Sequence, residues 1–126
     1  MAGFVGVLLH RWYTALEAAF ERIERTLVGA LSGGEAWHQD LLRLMALDVP
    51  DARPAILRRE TVAALLPYLR FRNFLRHAYA VELDPAKLHA LVAPLADAQK
   101  QIAEDISAFL VNTRAALRSA AARSEP

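Results

Sequence analysis

The stretch FVGVLLHRWYTALEAAFERIERTLVGAL, residues 4–31, decides the fold class, because Leu9, Trp12, Tyr13, Leu16, Ala19, Phe20, Ile23, Leu27 and Leu31 recur every three or four positions. That spacing lines one stripe of an α-helix with apolar side chains. One long amphipathic helix is expected from Phe4 to Leu31, with Ser32-Gly33-Gly34 supplying the permissive backbone that ends it. Further on, Trp37, Leu41, Leu42 and Met45 predict a shorter helix that stops before Pro50, and Asp48–Arg53 reads as a loop. Pro54 suits the first position of a third helix, where its missing N–H has no partner to lose. A bend or restart is expected near Leu66–Pro67. Asp84-Pro85 forms a cap and first turn for the last long helix, striped by Leu88, Leu91, Val92, Leu95, Ile102, Ile106, Phe109 and Leu110, with a kink at Pro94. Large apolar groups end at Leu117, so residues 1–112 are expected to form the bundle and residues 113–126 a fraying tail. The predicted fold is all-α, an antiparallel bundle of four to five helices.

Composition agrees and narrows the chemistry. A chain of 126 residues holds one domain, and folding buries roughly two-thirds of its extended-chain surface. Hydrophobic residues make up 55% and charged residues 23%, with Ala, Leu, Arg and Glu favoured over Val, Ile and Thr, the balance of a helical protein. The lack of cysteine excludes disulfides and thiolate metal sites and fits a reducing, cytoplasmic setting. The apolar opening runs directly into the first amphipathic pattern and reads as the start of that helix. No stretch reaches the roughly 20 apolar residues of a membrane span, so a soluble protein is expected. Net charge is only +1, which leaves local clustering as the source of any polyanion site. Six arginines, Arg53, Arg58, Arg59, Arg70, Arg72 and Arg76, stand against Glu60 alone between Arg53 and Tyr79, a local net of +5.

Inside that window lies LRFRNFLRHAYAVELDP, residues 69–85. On an ideal helix Asn73 and His77 are i, i+4 neighbours, and Arg72, Arg76 and Tyr79 fall on an adjoining strip. Arg72 and His77, five residues apart, stand about 140° apart around the axis. A shared target therefore calls for a distorted helix, long side-chain reach or a second subunit. The other histidines carry no ligand spacing: His38 beside Trp37 reads as a helix-start surface or packing residue, and His10 and His89 as incidental. Glu17, Glu21 and Arg25 read as surface neighbours or salt pairs. No metal and no cofactor are expected.

The run R-N-x-x-x-H, Arg72 to His77, resembles the Arg-x4–6-His signature of HEPN domains, and its extension to Tyr79 is similar to the HepT branch. HQDLLRLMALDVP, RPAIL and AVELDPAKL are similar to HepT-like chains in wording and order, so the resemblance runs from about His38 to Leu110; Pro67 just upstream of the motif is less typical of it. The resemblance implies a metal-independent ribonuclease toxin that works as a two-fold homodimer lining one cleft. It also implies a minimal nucleotidyltransferase antitoxin that silences the toxin by moving AMP onto the motif tyrosine, here Tyr79.

The residue types suit such chemistry. Metal-free RNA cleavage needs a base for the 2′-OH, an acid for the leaving 5′-oxygen and stabilisation of the charged phosphorane. Imidazole, with an unperturbed pKa of about 6.5, serves as either acid or base. A dimer supplies His77 twice, Arg72 clamps phosphate through its fork, Asn73 orients His77 or binds phosphate, and Arg70 and Arg76 bind the RNA backbone. Two alternatives stand beside this reading: a non-catalytic HEPN module that docks a nucleotidyltransferase or binds a nucleotide, and a purely structural dimerising bundle.

Overall fold

The computed structural model describes residues 2–29, 37–77 and 83–124. Among the described residues five helices follow one another: α1 (Ala2–Leu27), α2 (Trp37–Leu44), α3 (Arg59–His77), α4 (Pro85–Val92) and α5 (Leu95–Ser124). Together they make an all-α bundle. The only β-type pairing among the described residues is an isolated bridge between Val49 and Arg53.

α1 buries Gly6, Leu9, Tyr13, Glu17, Phe20 and Glu24, a line that advances by three or four residues per step. It ends four residues earlier than the apolar pattern suggests. The Val28 and Gly29 amides both reach the Glu24 carbonyl, at 2.8 and 3.0 Å, and Gly29 takes a φ of 118° that a side chain would resist. Near the other end a Cβ on Gly6 would lie 2.6 Å from Leu83 Cδ1, so the absent side chain lets α1 approach the entry to α4.

The centre is built from Tyr13, Phe20, Leu41, Leu42, Met45 and Leu65, each 1% exposed or less. α1 packs against α2, α3 and α4, and α5 against α3 and α4. Burial of each large apolar side chain contributes about 1.5–3 kcal/mol.

Two proline expectations are corrected. α3 does not begin at Pro54, because residues 54–58 are held as a loop: the Met45 carbonyl accepts from the amides of Ile56 and Leu57 at 2.8 and 2.9 Å. The helix starts where the buried Asp105 carboxylate of α5 accepts from the Arg58 amide at 3.0 Å and from the Thr61 hydroxyl. Nor does α3 restart at Pro67. It runs through that residue to His77 as one helix, since Pro67 and Ala63, whose carbonyl loses its i+4 donor, both lie on the exposed side. Pro94 does more than kink the last helix: Ala93 and Pro94 form a turn that separates α4 from α5. Asp84 caps α4 as expected, its carboxylate accepting from the Ala86 amide at 3.0 Å. The segment expected to fray is helical to Ser124, with residues 114–124 all exposed; its Ala- and Arg-rich sequence has high intrinsic helix propensity.

Candidate functional site

Arg72 continues the inward line of α3 set by Leu65, Tyr68 and Leu69, three or four residues apart. Tyr68 is locked there. Its hydroxyl donates to the Leu91 carbonyl at 2.6 Å and its ring meets Trp12 edge-on, with centroids 5.1 Å apart. One turn later the Arg72 guanidinium, with its side chain 12% exposed, faces two groups from other helices, Glu17 of α1 and His38 of α2.

These three side chains form a chain of contacts. The Glu17 carboxylate lies 2.7 Å from His38 Nδ1, and Arg72 Nη2 lies 3.1 Å from His38 Nε2. A guanidinium only donates and a carboxylate only accepts, so the arrangement that satisfies both has Nδ1–H donating to Glu17 and Nε2 accepting from Arg72. Arg72 Nη1 also donates to Asn73 Oδ1 at 3.2 Å, and Arg72 Nε stands 3.7 Å from Glu17 Oε1. The Trp37 ring covers the imidazole, centroids 3.9 Å apart. Beneath lies Tyr13, whose hydroxyl is pushed well above the ordinary tyrosine range by burial and then by the Glu17 charge, with Arg72 acting in the opposite sense.

His38, expected as a surface or packing residue at a helix start, thus takes the packing role at the start of α2, and Glu17 departs from the surface role expected of it. Both are buried, at 7% and 5% exposure, because they sit on the core-facing lines of α2 and α1. Only the Glu21–Arg25 pair is the surface contact foreseen. A detectable signal existed: Glu17 and Glu24 occupy the same stripe as Leu9, Tyr13 and Phe20, and a carboxylate on a core stripe demands a buried cation or donor.

The basic window changes character as well. Arg53 is buried, paired with Glu24 and donating to the Leu44, Leu47 and Pro54 carbonyls. Arg58 pairs with Asp105 and Glu104. Of the six arginines, Arg58, Arg59, Arg70 and Arg76 are exposed, Arg58 while paired with α5. Asn73 and His77 are exposed too; Asn73 stays within reach of the Arg72 guanidinium, whereas His77, five residues on, turns about 140° away from it. α3 is continuously α-helical between Arg72 and His77, so no distortion brings the two onto one face. Tyr79 lies outside the described residues.

A family model for HepT-like proteins matches residues 5–113. The chain belongs to the HepT-like family. The helices described are accordingly a HEPN-like bundle, and the run Arg72–His77, which resembles the HEPN signature, lies on α3. No curated protein and no solved structure matches this HepT-like chain. Among the described residues no group of three or more His, Asp or Glu side chains is placed to hold a metal, and no helix is long and apolar enough to cross a membrane.

Proposed function

We propose that this HepT-like protein is a metal-independent endoribonuclease toxin, acting in the cytoplasm as a homodimer whose two α3 helices contribute to one RNA-cleaving site. The observation that carries the reading is the division of labour on α3: Arg72 is held by a fixed network that includes Asn73, while His77 is presented to solvent beside exposed Arg70 and Arg76. In one chain the imidazole and the guanidinium stand on different faces. A two-fold partner supplies the missing half.

In the proposed reaction one His77 takes the proton of the ribose 2′-OH as O2′ attacks phosphorus. The P–O5′ bond breaks, and His77 from the other protomer protonates the departing 5′-oxygen. Arg72 stabilises the phosphorane, with Arg70 and Arg76 holding flanking phosphates. The products are a 2′,3′-cyclic phosphate and a 5′-hydroxyl. Purified protein incubated with RNA in excess EDTA is expected to yield these ends; fragments bearing other termini, or loss of cleavage in EDTA, would overturn the mechanism.

The partner proposed for this toxin is a nucleotidyltransferase antitoxin that moves AMP from ATP to the Tyr79 hydroxyl, releasing pyrophosphate. Mass spectrometry after incubation with such an enzyme and ATP is expected to find one added AMP per chain and none on Tyr79→Phe. An equal gain on that variant would place the acceptor elsewhere.

One observation favours the non-catalytic reading, in which the same helix only docks a nucleotidyltransferase or binds a nucleotide: the Arg72 guanidinium is already engaged by Glu17, His38 and Asn73. A stable complex with the nucleotidyltransferase, together with inactivity on every RNA class offered, is the outcome that selects it.

A further inference from the structure

We propose that Glu17 and His38 are positioning residues for the reaction above, acting through Arg72 to set the direction in which its guanidinium meets phosphate. The inference rests on the ribonuclease reading and adds to it two residues from other helices.

The geometry makes the connection in series. Glu17 accepts from His38 Nδ1 at 2.7 Å, which fixes the tautomer and leaves Nε2 as the acceptor for Arg72 Nη2 at 3.1 Å. Trp37 packed on the imidazole limits its rotation. Asn73 holds the other terminal nitrogen at 3.2 Å. A guanidinium carries five N–H groups. One on each terminal nitrogen is used by this network, so each retains one more, the pair that two oxygens of a phosphate take in a fork.

Burial explains why this is more than a surface hydrogen bond. The side chains of Glu17 and His38 are 6% and 8% exposed, so water does not compete strongly for them and the contacts hold their direction. Arg72 thereby gives up its side-chain freedom during folding, and less remains to be lost when RNA binds. The Glu17 carboxylate also has a second oxygen, Oε2, and Arg72 has its Nε, both buried without a partner. Folding alone would be served as well by apolar residues at positions 17 and 38, because a polar group left unsatisfied in a core is a cost. Retention of the charge makes sense where a guanidinium must be aimed.

The test uses the full-length protein, with a bulk tRNA pool and single-stranded RNA as probes. His38→Ala and Glu17→Gln are each expected to lower kcat by about tenfold or more with a smaller change in KM, the mark of a misaimed transition-state contact. His38→Gln, whose amide can both accept and donate, is expected to restore most of that rate. In an Arg72→Lys background the same His38→Ala change is expected to matter by less than about twofold, because the group through which His38 acts has gone. A merely structural role would give additive losses and no rescue by glutamine. His77→Ala separates the two levels of inference. If the wild-type protein does not cleave RNA, the nuclease reading falls and this inference with it; if His77→Ala still cleaves at the wild-type rate, the mechanism proposed above falls and this inference with it. If His77→Ala is inactive while folded His38→Ala and Glu17→Gln proteins keep full kcat, or if losses add in the Arg72→Lys background, the positioning role alone is overturned.

Discussion

Arg53→Ala is expected to lower the free energy of unfolding by about 3–5 kcal/mol, the range found when one partner of a buried ion pair is removed. The side chains of Arg53 and Glu24 are 1% and 2% exposed. Truncation strands the Glu24 carboxylate in the core and takes donors from three carbonyls, those of Leu44, Leu47 and Pro54. These carbonyls belong to the end of α2 and the loop after it, so a single guanidinium ties that connection to α1. Arg53→Lys keeps a charge but loses the planar fork, and an intermediate loss is expected. Removing both charges with Arg53→Met and Glu24→Leu is expected to recover part of the stability, since no uncompensated ion is left inside. Urea unfolding followed by circular dichroism measures all three; a loss below about 1 kcal/mol for Arg53→Ala would show that the pair contributes little beyond a surface bridge.

His77→Ala is expected to have the largest effect on activity. In the proposed dimer one substitution removes both the base and the acid, and each such group contributes about 10²–10⁴-fold to a proton-transfer-limited rate. Cleavage should fall by at least about 10³-fold, to background in practice. Stability should hardly move, because His77 is exposed and surface substitutions of this kind usually fall within about 0.5 kcal/mol. The contrast with Arg53 is diagnostic: one variant keeps its chemistry until it unfolds, and the other keeps its fold without its chemistry. A folded His77→Ala protein that cleaves RNA within tenfold of the wild type would remove His77 from the mechanism.

Placement of the motif residues divides along a physical line. Exposure of His77, Asn73, Arg70 and Arg76 followed from the polar face of α3, a local property. The contacts of Arg72 did not, because Glu17 and His38 lie 55 and 34 positions away along the chain, and nothing local reports that they meet.

Helical periodicity, the Asp84 cap and the run from Arg72 to Tyr79 were legible in the order of residues, since each depends on groups within a turn or two of one another. Which charges sit inside was settled by folding. The six arginines look alike along the chain, yet Arg53 is buried against Glu24 and Arg72 is gripped by Glu17 and His38, while the other four face solvent, Arg58 among them although it pairs with Asp105. The same holds for the prolines: Pro54 fails to start a helix because the Met45 carbonyl and the Asp105 carboxylate hold the segment after it, and Pro67 continues one because packing leaves it and the Ala63 carbonyl on the solvent side. The reason is common to all of them. A charge or an unpaired carbonyl is stable only where its partner stands, and long-range packing chooses the partner.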